Sequence, residues 1–363
     1  MRNSIFAATV LAGLSLLSTA QGGILIPIPA VPGSTSTYVT GINDNNVITG
    51  FYRAEDGINH GFVGTLDGQY QTFDWGDVND TEPRAINNDG YITGFVFDNS
   101  IPFFGPEYIR APDGTVAAIL SGKRGTELVG TAQGIDAHRN FVGDYWDQSS
   151  NDYGYYGKGH TFRAALNLPF NTHRTRPRGL NKDGTAVGYY NDNLGVHGFV
   201  LKDGTATSFN YPDQTAYETL AEAINSKEII VGAWTDLDFT FEHPFIYDLA
   251  AQSFEEIAVN GATFAIAYGI NKSGVVTISA SGVSYIYCIK EKTCPPVGGN
   301  RIELADKWIP ASAANVHALV CRHRCLKPLD GQAMRPTADA ALMRDAIQHD
   351  AALRAELGRP LGR

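Results

Sequence analysis

Four histidines recur in one setting, each two residues before a phenylalanine: His60-Gly61-Phe62, His160-Thr161-Phe162, His197-Gly198-Phe199 and His243-Pro244-Phe245. Imidazole suits proton transfer near neutral pH and metal ligation, so four copies invite a catalytic or metal reading. Their regular recurrence favours a structural role, because equivalent places on successive repeats do not converge on one centre. Clusters such as Asn43-Asp44-Asn45, Asn191-Asp192-Asn193 and Asp236-Leu237-Asp238 carry the oxygen ligands that Ca2+ prefers, though none has EF-hand spacing. Ca2+ is thus the one cofactor left open, against the plainer account that these are turns. The sequence has no Gly-x-Ser-x-Gly elbow, His-Glu-x-x-His phrase or P-loop. No catalytic, cofactor-binding or metal-ligating residue is assigned.

Two further groups carry chemistry. The stretch from Trp146 to Gly159 mixes Trp146, Tyr153, Tyr155 and Tyr156 with Asn and Asp. Aromatic faces cover apolar sugar faces while amides meet hydroxyls, so this insertion is a candidate ligand loop, set against a plain surface loop. The four cysteines, Cys288, Cys294, Cys321 and Cys325, form an even set that favours disulfides in a secreted chain. The preferred pairs are Cys288 with Cys294 and Cys321 with Cys325. The rival is a metal site at Cys321-Arg322-His323-Arg324-Cys325, opposed by two flanking cations and an uncommon spacing.

The elements that must position these groups come from one phrase, plainest in Gly41-Ile42-Asn43-Asp44-Asn45-Asn46-Val47-Ile48 and Gly179-Leu180-Asn181-Lys182-Asp183-Gly184-Thr185-Ala186. Aligned on its central residue it occurs six times, at Asn43, Asn87, Asp136, Asn181, Asn225 and Asn271, 44 to 49 residues apart. An apolar residue precedes each, and Gly or Ala precedes that. Two apolar runs around a four-residue polar turn predict a β-hairpin, with the Asn or Asp side chain bonding the backbone two residues on. The turn's fourth residue is Gly90, Gly184, Gly274 or Asn46, all suited to the left-handed region. Arg139 and Glu228 depart from this, so altered or strained turns are expected in the third and fifth copies. A Gly seven residues after the central position (Gly50, Gly94, Gly143, Gly188, Gly232; Ile278 in the sixth) suggests a bulge or close backbone approach on a crowded inner strand.

The His-x-Phe phrase, a polar turn and a last apolar run follow most copies, giving about four strands per repeat, the content of a propeller blade. The paired phrases resemble the HAF repeat of probable extracellular bacterial proteins, over roughly residues 36–287. The second copy has Glu107-Tyr108-Ile109 in place of the His phrase, and the sixth has Ser284-Tyr285-Ile286-Tyr287. The resemblance implies secretion and a repeated β fold, and brings no activity or catalytic residues.

The expected fold is therefore an all-β, six-bladed propeller over residues 21–299. Gly23 to Val31 reads as a fourth strand without its own blade, while the sixth copy lacks a fourth strand. Ring closure follows, with Leu25–Ala30 beside Tyr285–Cys288; the alternative is an open array. Pro27 and Pro29 suit an outer edge. Residues 300–363 change character, with ten Lys and Arg against seven Asp and Glu, and a helix is expected near 338–357.

The formal net charge of −10 excludes the basic footprint of nucleic-acid binding and argues against anionic membrane surfaces. Beyond residues 1–20 no stretch is long and apolar enough to span a bilayer. The expected function is a secreted binding or structural module for an extracellular ligand, carbohydrate or protein. The alternative is a propeller glycoside hydrolase or lyase with acids converging on the axis. Arg2, the apolar run Ile5–Leu17 and Ser18-Thr19-Ala20 read as a signal peptide, which places the protein outside the cell or in a periplasm. N-terminal sequencing of exported protein should begin at Gln21; retention of Met1 in it would overturn this reading.

Overall fold

A computed structural model describes residues 18–19, 23–75, 80–97, 104–120, 130–146, 152–166, 168–170, 172, 174–237, 241–259 and 262–295. Cys321, Cys325 and the helix expected near 338–357 lie outside these residues, as does nearly all of the expected signal peptide. Its residues Ser18 and Thr19 run parallel to Glu255 and Glu256.

The chain is an all-β propeller. Among the described residues it forms six four-stranded antiparallel units. The first repeat shows the pattern: inner strand Ser36–Ile42, second strand Val47–Arg53, third strand Asn59–Thr65 and outer strand Tyr70–Phe73. The other inner strands are Asp80–Ile86, Gly130–Ile135, Arg174–Leu180, Ala216–Ile224 and Ala265–Ile270. Each inner strand touches the next, and the sixth touches the first, so the ring closes. The outer strand of the sixth unit is Ile24–Pro27, which pairs Ile24 with Cys288 and Pro27 with Tyr285, as the sequence implies. Proline there costs no ladder bond, because the strand is an edge. No described helix is long and apolar enough to cross a membrane.

The repeated Asn builds both the hairpin and the ring. Asn43 Oδ1 accepts from the Asn45 and Val47 amides at 3.0 Å each, and all six copies repeat this pair of bonds, Asp136 included. The side-chain amide then points to the next repeat. Asn43 Nδ2 donates to the Asn87 carbonyl at 3.0 Å, Asn87 to Asp136 at 2.8 Å, Asn181 to Asn225 at 3.2 Å, Asn225 to Asn271 at 3.0 Å, and Asn271 to Asn43 at 3.3 Å. Asp136 has no N–H to give, so the sixth bridge, to Asn181, is the one a carboxylate cannot make. Its Oδ2 accepts from Asn140 Nδ2 instead, at 2.7 Å.

Each inner strand carries a bulge three residues before the Asn, at Thr40, Arg84, Gln133, Arg178, Glu222 and Tyr268. The Gly or Ala next to it faces the neighbouring backbone. A Cβ on Gly179 would lie 2.8 Å from Ala223 Cα, and one on Gly269 would lie 3.3 Å from Gly41 Cα. The Gly seven residues after the Asn sits on the second strand rather than the inner one. There it lies opposite the bulge, and a Cβ on Gly50 would meet the Tyr38 carbonyl at 1.9 Å.

One expectation is narrowed and another corrected. Arg139 and Glu228 take φ of 58° and 60°, next to 59° for Asn46. The third and fifth turns therefore keep their form and are strained rather than altered, because a residue with a Cβ occupies the left-handed region. The stretch after Trp146 is not a loop: Trp146 ends the second strand of repeat 3, and Asp152–Lys158 is its third strand. Tyr145 pairs with Tyr153 as Tyr52 pairs with His60. The third His-x-Phe phrase is therefore Tyr153-Gly154-Tyr155. His160 lies in the following turn, at the opposite end of the strand.

The two roles of the Asn are separable. Asn43→Asp should keep the turn and lose the bridge, costing about 1 kcal/mol, whereas Asn43→Ala loses three bonds and should cost about 2–3 kcal/mol. Equal losses in denaturant unfolding would contradict the division of labour.

Candidate functional site

Two places gather side chains beyond the needs of the repeat. The first is the axis. The six inner strands enclose a cavity of about 90 Å³, lined by three residues from each: the bulge residue, the small residue and the apolar residue before the Asn. The second and third are nearly invariant round the ring, and the first is different almost everywhere. A bulge leaves one residue out of the ladder and re-aims its side chain. The fold thus presents Thr40, Arg84, Gln133, Arg178, Glu222 and Tyr268 to one space. The signal was legible as the position three before each Asn, the polar and varied place in an otherwise regular phrase, but periodicity draws the eye to what repeats.

Behind the bulge residues, repeats 2 to 4 hold a buried network of charged side chains. Arg84 Nη2 donates to Glu82 at 2.9 Å and its guanidinium stacks 4.8 Å from the Phe95 ring centre. Arg178 Nη2 donates to the Tyr189 hydroxyl at 2.5 Å, and its Nη1 stands 4.0 Å from Asp144. The Thr131 hydroxyl donates to Asp144 at 2.7 Å, and Arg176 Nε to Asp152 at 2.8 Å. The Tyr155 hydroxyl donates to Glu107, which is fully buried. Burial pushes Glu107 well above the usual carboxyl range, the Tyr155 bond pulls it back and the Asp144 charge adds to the rise. Burial, then the Asp152 charge, pushes Asp144 up to about 6, against the pull of Arg178, Arg176 and the Thr131 hydroxyl.

Tyr155, expected to face a ligand, is therefore a core residue, fully buried and equivalent to Phe62, Phe199 and Phe245. Tyr156 donates to Asn140 Oδ1 at 2.9 Å, while Tyr153 is exposed. Strand alternation splits the expected cluster: Tyr153 and Tyr155 share one face, where both meet Tyr145, and Tyr156 lies on the other.

The phrase histidines pack on the second and outer strands, away from the axis. His60 stacks on Tyr52 and its Nδ1 lies 2.9 Å from Asp74. His197 contacts Tyr190 and bonds Asn210 at 2.7 Å and Asp192 at 3.0 Å. His243 lies 4.3 Å from the Trp234 ring centre, nearly parallel to it, with Nδ1 3.2 Å from Glu256. These contacts tie third strand to outer strand, the structural role. Among the described lining residues of the axial cavity, Glu222 is the one carboxylate. The paired acids of a glycoside hydrolase are thus not what the axis presents.

The second place is the end of the ring opposite the Asn turns. Every exposed large apolar side chain among the described residues lies there: Tyr153, Leu194, Tyr217, Leu237, Phe241 and Val283. Four of the six belong to repeats 4 and 5. Leu194 precedes Gly195, whose Cα side faces the Tyr217 carbonyl. Leu237 and Phe241 flank the segment after the second strand of repeat 5, and Phe241 stands 6.0 Å from His243. Isolated exposed apolar residues are ordinary; here all six share one end of the ring.

No family model matches the chain, and no curated protein matches it. Solved structures similar to it include a putative TolB from Agrobacterium tumefaciens, 14% identical over 61% of this chain and 80% of that one, TM-score 0.45. A Hadza microbial sialidase is 11% identical over 72% of this chain and 67% of that one, TM-score 0.49. A six-bladed fungal fucose-recognising lectin from Aleuria aurantia is 10% identical over 61% and 78%, TM-score 0.40. At this identity and overlap the likenesses say nothing of ligand or chemistry.

The raised Asp144 makes a pH test. A carboxyl whose folded pKa lies above its unfolded value binds its proton more tightly when folded, so it gains stability as pH falls through about 6. Wild type should therefore gain on Asp144→Asn by roughly 2 kcal/mol between pH 7 and pH 4. A constant gap in melting temperature across that range would show that Asp144 titrates normally.

Proposed function

We propose that this chain is a secreted binding module that engages a carbohydrate or other cell-surface ligand through the end of the ring opposite the Asn turns. The observation that carries the reading is the one-sided placement of the exposed apolar and aromatic side chains. Tyr217 and Phe241 offer aromatic faces of the kind that cover the apolar face of a pyranose. Asp213, four residues before Tyr217, carries acceptor oxygens for hydroxyls. The Asn-turn end, by contrast, is built from short turns whose polar atoms bond one another, as in Asn88 Nδ2 to Asp44 at 2.9 Å.

The compartment is supported from two sides. Cys288 and Cys294 form a disulfide, and structural disulfides persist in oxidising surroundings. The repeat's resemblance to HAF repeats points the same way. Ca2+ is not needed by this reading, and it remains a separate question for metal titration.

A glycan array probed with the mature protein tests the proposal. The double variant Tyr217→Ser/Phe241→Ser should lose about tenfold in affinity for each aromatic face that stacks on the ligand, roughly 1.4 kcal/mol apiece, with melting temperature unchanged because both side chains are exposed. Undiminished binding by that variant would place the ligand elsewhere. An array without any bound glycan would leave a protein ligand as the better reading of the same face.

A further inference from the structure

We propose that the axial cavity is a second, separate binding site, and that it takes a short hydroxycarboxylate. Its carboxylate would be held by Gln133 and Arg178 and its hydroxyl by Glu222.

Two buried donors at the cavity have no acceptor among the described residues. Gln133 is 5% exposed, lines the cavity, and its Nε2 has no hydrogen-bond partner among the described residues. Arg178 lines the same cavity and its buried Nε is likewise unpartnered. Buried polar groups are nearly always satisfied, and two unsatisfied donors in one small space call for an acceptor. The two stand on adjoining inner strands: a Cβ on Gly134, the residue after Gln133, would lie 2.8 Å from the Arg178 carbonyl. Glu222 follows on the next strand, where a Cβ on Gly179 would lie 3.1 Å from the Glu222 carbonyl. Gln133, Arg178 and Glu222 therefore form one continuous arc, two donors followed by an acceptor.

Charge and size narrow the ligand. A guanidinium with a free N–H beside a carboxamide donor matches the two oxygens of a carboxylate. Arg178 already gives one N–H to Tyr189, a neutral phenol, and stands 4.0 Å from Asp144. Burial pushes the Asp144 carboxyl up to about 6, so its hold on the guanidinium weakens as pH falls through that range, and the Arg178 charge also faces Glu222 on the next strand. Glu222 has two acceptor oxygens and several lone pairs, so it takes a hydroxyl beside its present contacts. A volume of about 90 Å³ holds roughly three waters or a two- to three-carbon molecule. An acid of that size with an adjacent hydroxyl fills both ends of the arc. The full-length sugars of the rim reading are far too large, so the two sites are independent.

The test is calorimetric titration and thermal shift of the full mature chain with glycolate, lactate, acetate and glycerol. Glycolate and lactate should bind and raise the melting temperature, acetate should bind at least tenfold more weakly, and glycerol should not bind. Gln133→Met keeps the volume and removes the donors; it should weaken glycolate at least tenfold while melting no lower than wild type, since a buried unsatisfied group is gone. The rim variant Tyr217→Ser/Phe241→Ser should bind glycolate like wild type. Equal affinity for acetate would overturn the role of Glu222, and glycerol binding would overturn the anion. No response to any of the four, or full glycolate affinity in Gln133→Met, would overturn the site.

Discussion

The whole ring rests on a side chain that is acceptor at one end and donor at the other. Asn Oδ1 closes the hairpin of its own repeat, and Asn Nδ2 reaches the carbonyl of the next. Both bonds are buried, each of these residues being 5% exposed or less. A buried amide with one partner missing is costly, so the inner strand must arrive at the axis in a fixed register and at a fixed distance from its neighbour. The Gly or Ala two residues earlier is what makes that distance reachable. The bulge before it absorbs the turn of the chain, and the Gly on the second strand gives the bulge room. The repeated phrase is this set of mutual requirements written out in residues.

The same requirements explain where variety is allowed. Within the inner strand, the small residue is set by backbone approach and the apolar residue by the core. Only the bulge residue, out of the ladder and lining the axial cavity, is released from the pattern. Five residue types occur at these six places on an otherwise uniform frame. Behind them repeats 2 and 3 depart together: Tyr155 takes the place of Phe62 and Glu107 that of Gly61. Tyr brings a hydroxyl into the core, and Glu107 supplies its acceptor. One departure entails the other, since neither polar group would be tolerated alone at that depth.

Much of this was legible in the residues. The Asn turns, the ring closure through Ile24–Pro27 and the Cys288–Cys294 pair follow from spacing and hydrogen-bonding capacity, and the structure places them so. What the residues hid is instructive. His160-Thr161-Phe162 matched the repeat phrase by letters but lies in a turn, because Tyr153-Gly154-Tyr155 already fills the strand position by pairing. Aromatics between Asn and Asp read as a loop, since composition does not reveal that a partner strand, Asn140–Trp146, runs alongside. The axial arc of Gln133, Arg178 and Glu222 is assembled from three repeats, and nothing local to any one of them marks it as a site. Convergence across 45-residue intervals is a property of closure, which sequence reading reaches last.

Closure also has a weak point, and the chain shows how it is met. Adjacent repeats are joined across 44 to 49 residues, but the seam from Asn271 to Asn43 spans 228. Loop-closure entropy grows with the logarithm of length, so this contact costs about 1.5 kcal/mol more than a contact across 44 residues. The seam carries four further bonds, which at about 1 kcal/mol each more than offset that cost. Asn271 Nδ2 donates not only to the Asn43 carbonyl but also to Asn46 Oδ1, at 2.9 Å. The Lys272 amide donates to Asp44 at 2.8 Å, and the Ser284 hydroxyl accepts from the Val39 amide at 2.9 Å while donating to the Thr37 carbonyl at 2.8 Å. This accounts for Asn46. Three of the six turns hold Gly at that place, where a positive φ makes Gly the easier choice. The first turn holds Asn at φ 59° because it is the one turn that the end of the ring must find, and a side-chain acceptor there is worth more to the seam than the strain costs.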